Sequence, residues 1–184
     1  MTLRPLIQLV GQSHPILELA KSKKPPATLF APTNTHAIAV AALAKQGGVN
    51  LVVVPTSRQA EEISSTLKEL VQEVEIIELP SWETLPHERL SPAAETIGKR
   101  LRALHRMHEV RTKAEHPVVI LLSIRAALQP VIGGLEDHPP FTLERGKNYL
   151  LPELGLKLIE LAYERVDMVT RRGEFAIRGG ILDV

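Results

Sequence analysis

The chain has 184 residues, enough to bury a core in one domain or in two small ones. A formal charge of +1 gives no global field for nucleic acid, aromatics at 3% leave few stacking platforms, and the lack of cysteine excludes disulfides, thiolate zinc sites and thiol catalysis. No run of roughly 20 apolar residues offers a membrane span, and Pro5, Gln8, Gln12 and Pro15 interrupt the continuous apolar region of a signal peptide, so the expectation is a cytoplasmic protein without a membrane role.

Residues 1–25 read as an N-terminal helical segment. The stretch ATLFAPTNTHAIAVAALAKQGGVNLVVVPTS, residues 27–57, then reads as strand, short loop, helix, turn and strand, with Leu29, Phe30 and Ala31 closing the first strand. The small apolar residues of 37–45 suit a buried helix, and the continuous NLVVVP run at 50–55 suits a strand covered on both faces. Residues 57–71 carry Ala60, Ile63, Leu67 and Leu70 at helical spacing, and VEIIEL at 74–79 is a further strand. After an irregular stretch with Pro86 and Pro92, a long helix is expected from near Ser91 to about Val110, with Ile97, Leu101, Leu104 and Met107 on one face. PVVILLS at 117–123 is a fourth buried strand, followed by a short helical piece at 124–131. Four strands joined by helical crossovers imply an α/β fold with a mostly parallel sheet over 26–125.

The pattern changes near residue 126. Gly133, Gly134, Pro139 and Pro140 read as a connector, FTLERGKNY at 141–149 alternates like an antiparallel strand, and a helix is expected over 152–162. The tail YERVDMVTRRGEFAIRGGILDV offers two or three short strands broken at Arg172-Gly173 and Gly179-Gly180, which makes 126–184 a smaller α+β unit. The chain ends in an apolar strand signal, ILDV, and is expected to be a piece of a longer protein.

In a nucleotide-binding α/β protein the phosphates would sit at Pro32, Thr33, Asn34, Thr35 and His36. A phosphate loop needs converging backbone N–H groups, glycines for close approach, a lysine and a magnesium-binding hydroxyl residue beside it. Pro32 removes one N–H, and no GK[ST] sequence is present, so neither a catalytic residue nor a cofactor is expected in this segment.

Two longer stretches carry a family resemblance. LPSWETLPHERLSPAAETIGKRLRALHRM (79–107) and RRGEFAIRGGILDV (171–184) are similar to ordered motifs in the N-terminal region of the bacterial transcription-repair coupling factors. The resemblance extends over nearly the whole chain and is weakest in residues 1–25. It implies a helicase-like, UvrB-homologous domain with a degenerate phosphate loop and a smaller inserted domain. It further implies recruitment of the excision-repair protein UvrA, masking of that surface by the motor domains of the same parent, and a parent that uses ATP and magnesium to move on duplex DNA and displace RNA polymerase.

The UvrA surface is carried over to Arg165, Arg171, Arg172, Phe175 and Arg178. An arginine fork beside an aromatic ring suits a protein partner, although the same residues read equally as a hairpin with internal Arg–Glu pairs and Phe175 in a small core. If 170–177 is one strand, Arg172 shares a face with Glu174 and Ala176, and Arg171 shares the other with Phe175. Trp82 is read as packing its loop onto the sheet. His105 and His108, three apart on a helix, lack a third metal ligand. Lys99, Arg100, Arg102, Arg106, Arg111 and Lys113 could touch a DNA backbone, but interspersed glutamates favour a solvated helix face. The alternatives to a recruitment module are therefore a nucleotide-binding helicase domain and a DNA-binding module.

Overall fold

A computed structural model of the protein describes residues 4–21, 30–85, 88, 90–113, 115–131, 133–134 and 140–184. Two short helices, α1 (Arg4–Gly11) and α2 (His14–Lys21), lead the chain. The strand expected at 27–31 falls partly outside the described residues, and Phe30 and Ala31 belong to no strand. A single 3-10 turn, Thr33–Thr35, runs into α3 (His36–Ala44). Beyond it, β1 (Val49–Val54), α4 (Ser57–Leu70) and β2 (Glu75–Leu79) lie within about a residue of where apolar spacing puts them.

The chain continues through α5 (Ala94–Thr112), β3 (Val118–Ser123) and α6 (Ile124–Leu128). The three strands form a parallel sheet in the order β1-β3-β2, with Val118 opposite both Val49 and Glu75. Every residue of the central strand is buried, as its unbroken VVILLS sequence requires. Val119 and Leu121 project into a core built with α1, α2, α3 and α4, whereas Val118, Ile120 and Leu122 project into a second core with α5 and α6. Ala41, Ala42 and Ala44 of α3 are wholly buried, and their small side chains let Ile7 of α1 and Ile16 of α2 pack into the first core.

α5 begins at Ala94, three residues later than the expected start at Ser91. Residue 91 precedes a proline, which disfavours helical backbone there, and Ala93 is extended with its N–H donated to the Glu83 carboxylate at 2.9 Å. A side chain from the preceding loop thus takes the place of a local cap. The loop itself is fastened from below. Arg100 of α5 is 1% exposed, lies 4.4 Å from the centre of the Trp82 ring, and donates to the Pro80 carbonyl. Gln129 accepts from the Trp82 backbone N–H at 2.7 Å. Trp82 therefore packs its loop onto α5, through a stacked guanidinium.

α6 packs on β3 and β1, so residues as far as 128 belong with the sheet, and the change of pattern falls later in the chain than 126. The strand expected at 141–149 does not form. Gly146 turns the chain with φ +86°, Lys147 N–H donates to the Glu144 carbonyl at 3.2 Å, and the Tyr149 hydroxyl accepts from the Glu144 N–H at 2.8 Å. An alternating pattern interrupted by a glycine in that conformation folds back on itself instead of pairing.

The smaller unit is built from α7 (Leu151–Glu160), β4 (Glu164–Arg165), β5 (Glu174–Arg178) and β6 (Ile181–Asp183). β5 lies at the centre, parallel to β4 and antiparallel to β6. α7 covers the sheet through Leu154, Gly155 and Leu158, and comes so close at Gly155 that an added Cβ would stand 3.1 Å from Ile177 Cδ1. Phe175, 0% exposed, fills the space beneath the helix.

Candidate protein-interaction site

The arginines of the tail are spread along a short parallel crossover and the strands it joins, with Arg165 on β4, Arg171 and Arg172 in the connection, and Arg178 at the end of β5. Glu164 N–H donates to the Gly173 carbonyl at 2.8 Å and Val166 N–H to the Phe175 carbonyl at 2.9 Å, so β4 is stitched to the start of β5 although only residues 166–173 separate them. Residues 170–173 form a turn ending at Gly173, whose φ of +92° only glycine adopts readily. Arg171 and Arg172 therefore belong to this turn, and the strand expected to start at Thr170 starts at Glu174. The assignment of Arg171 and Arg172 to opposite faces of a strand is corrected by that shift.

Glu174 organises the turn. Its side chain is 7% exposed, and it accepts from the Thr170 N–H at 2.8 Å, the Thr170 hydroxyl at 3.1 Å, the Arg171 N–H at 3.0 Å and Arg171 Nε at 2.7 Å. The backbone bond from Thr170, followed by the Arg171 side chain, holds its carboxyl down at about 2. Arg171 is spent on this arrangement, and its Nη2 reaches Glu164 at 3.7 Å. Arg178 is likewise paired, with Asp183 across the β5–β6 hairpin at 2.9 Å.

Arg165 and Arg172 are exposed and make no hydrogen bond or ion pair among the described residues. Arg172 is not remote from other charge, since after Lys99 it is the next cation to hold the Glu95 carboxyl of α5 below its ordinary range. Residues 169–173 face Ile97, Gly98, Leu101 and Arg102 of α5 across a cleft. Of the five residues carried over from the family resemblance, two are thus free cations, two are cations satisfied at home, and Phe175 is a core side chain. Phe175 presents no ring to a partner because α7 and the sheet enclose it, which corrects its place among the contact residues. The Arg171–Glu174 pair is the internal Arg–Glu pairing that the sequence left open, whereas Asp183 is a partner the sequence reading does not name. Nothing in the spacing of Glu174 and Asp183 sets them apart until the Gly173 turn brings Glu174 back over residues 170 and 171.

Residues 32–36 have a different character. Thr35 N–H and hydroxyl both bond the Pro32 carbonyl, at 2.9 and 2.7 Å, and the His36 N–H bonds the Thr33 carbonyl. Two of the loop's N–H groups are turned inward, Pro32 has none, and no side chain caps either helix start. These residues do not fit a triphosphate.

The basic stretch of α5 is also largely occupied. Arg106 bonds Glu75 at 2.6 and 2.8 Å and Glu109 at 2.6 Å, Lys99 pairs with Glu95, Lys113 pairs with Glu115, and Arg100 is inside. His105 lies 3.3 Å from Glu109, and no group of three or more potential metal ligands occurs among the described residues. No described helix is long and apolar enough to cross a membrane.

The smaller unit coincides with a recognised class: the family described as the UvrB interaction domain matches residues 141–184, the stretch that holds all five arginine-site positions. Over a longer span, the transcription-repair-coupling factor of Mycobacterium bovis is 43% identical across 171 residues, 92% of this chain and 14% of that protein. The proteins of the same name from Haemophilus influenzae and Escherichia coli are 29% and 25% identical, over 80% and 76% of this chain and 13% and 12% of their own lengths. The chain belongs to the transcription-repair coupling factor family, and spans about a seventh of the length of the relatives it matches.

Proposed function

We propose that this chain is the UvrB-homologous recruitment module of a transcription-repair coupling factor, and that its smaller unit binds UvrA through Arg165 and Arg172. The reading rests on one observation: these two arginines of the matched interaction domain are exposed and make no hydrogen bond or ion pair among the described residues, whereas Arg171 and Arg178 are held by carboxylates of their own unit. Unpaired guanidinium forks at a partner surface meet carboxylates on the other side with little rearrangement. The acceptor on UvrA is accordingly an acidic patch.

The segment works without nucleotide hydrolysis of its own, because residues 32–36 turn the N–H groups of Thr35 and His36 inward, lack one at Pro32, and offer no lysine. The helicase-like sheet then serves as the frame that carries the smaller unit, an instance of scaffold outlasting chemistry. In the parent, motor domains mask the surface until the factor engages duplex DNA and RNA polymerase in the cytoplasm, where ATP and magnesium are consumed. Titration of purified UvrA onto this chain tests the proposal: saturable binding weakened by both Arg165→Ala and Arg172→Ala is expected, and undiminished affinity in both variants overturns it.

A further inference from the structure

Glu174 stands out in a search of the whole molecule because it is a charged side chain, almost wholly removed from solvent, whose every bond goes to a single turn. Three donors converge on Oε2, from the Thr170 N–H, the Thr170 hydroxyl and the Arg171 N–H, and Arg171 Nε meets Oε1. The far end of the same turn is pinned by the Gly173 carbonyl, which accepts from Glu164 of β4. Between these two anchors lies Arg172, whose side chain is exposed and without a hydrogen bond among the described residues.

We infer that Glu174 is the positioning residue of the partner-facing turn, fixing the place from which Arg172 reaches out, and that Arg171 is its clasp and not a contact with the partner. The inference rests on the partner reading given above for its binding consequences, but its structural half stands without it. Shape alone would not suffice at this position. A glutamine has one acceptor oxygen and one donor amide, so either orientation sets an NH2 group against N–H donors, of the backbone pair on one side or of the Arg171 guanidinium on the other. A turn fixed before binding loses less freedom on association than one ordered by the partner.

The experiment compares the unaltered 184-residue chain with Glu174→Gln, Arg172→Ala, their double variant and Arg171→Ala, reading UvrA affinity and amide hydrogen exchange on each. Faster exchange at Thr170 and Arg171 in Glu174→Gln is expected, with β3 amides at 118–123 and the Val166 amide unchanged. UvrA affinity should fall by about tenfold, a change of about 1.4 kcal/mol, and the loss caused by Arg172→Ala should shrink in the Glu174→Gln background. Should Glu174→Gln unfold the smaller unit, exposed by loss of Val166 protection, Arg171→Ala decides: a smaller affinity loss than that of Arg172→Ala upholds the clasp, and an equal, additive loss overturns it. Unchanged exchange at 170 and 171, or strict additivity of Glu174→Gln with Arg172→Ala, also overturns the inference. If UvrA does not bind the unaltered chain, the partner reading fails alone, and the exchange at 170 and 171 still decides for or against the positioning role.

Discussion

Residues 32–36 and residues 170–173 are short polar connections that lead into α3 and β5 respectively. The first satisfies itself: its 3-10 turn closes N–H groups onto Pro32 and Thr33. The second is satisfied from outside, by a carboxylate that belongs to the strand after it, and the one arginine left over is presented outward. A connection becomes a site when its own backbone is held by something else, because only then are its remaining side chains both fixed and free.

That contrast can be broken in several ways. The largest effect should come from Phe175→Ala, which empties the core under α7 and costs about 3–5 kcal/mol in the smaller unit, read by urea unfolding; Thr33→Ala and Asn34→Ala should stay within about 0.5 kcal/mol. A loss of similar size at Asn34 would show that the first loop carries structure after all. Next, Arg172→Ala should weaken UvrA binding by roughly tenfold to a hundredfold, against less than about threefold for Arg178→Ala, whose guanidinium is already committed to Asp183. Equal losses at the two positions in a titration would erase the distinction between free and paired cations.

Acid sharpens the comparison further. Glu174 titrates at about 2 in the folded chain against an ordinary value of 4.5, so the unfolded chain takes up the proton first. The stabilisation it brings is complete above about pH 4.5 and is lost as the pH falls toward about 2. Thermal melts of the smaller unit should therefore decline across that window, and Glu174→Gln should flatten the decline. The smallest change is expected for nucleotide. A real site at 100-fold above its dissociation constant would add roughly 2.7 kcal/mol, whereas magnesium ATP should leave the melting temperature of this chain where it was.

Sequence made the sheet legible because continuous β-branched runs have few other uses. NLVVVP, VEIIEL and VVILLS became β1, β2 and β3 within about a residue, but β1 is not covered on both faces as expected: at the sheet edge it leaves Val49, Leu51 and Val53 exposed. FTLERGKNY misled because period-two alternation says nothing about Gly146, where the chain reverses. Four arginines in the tail look alike in sequence; their division into free and paired follows from where Gly173 turns the backbone and where Gly179-Gly180 folds Asp183 against Arg178. Such distinctions depend on contacts made only after folding, and single-residue chemistry does not carry them. Phe175 shows the converse: an aromatic beside arginines was open to two readings, and burial under α7 decided between them.

The chain has a single tryptophan, and it rests against a buried guanidinium where the end of β2, α5 and α6 meet. Indole emission would thus follow the melting of the parallel sheet and stay dark to events around Arg172. Tyr163, which borders the cleft beside residues 169–173, is the chromophore through which an optical experiment would watch the surface proposed for docking.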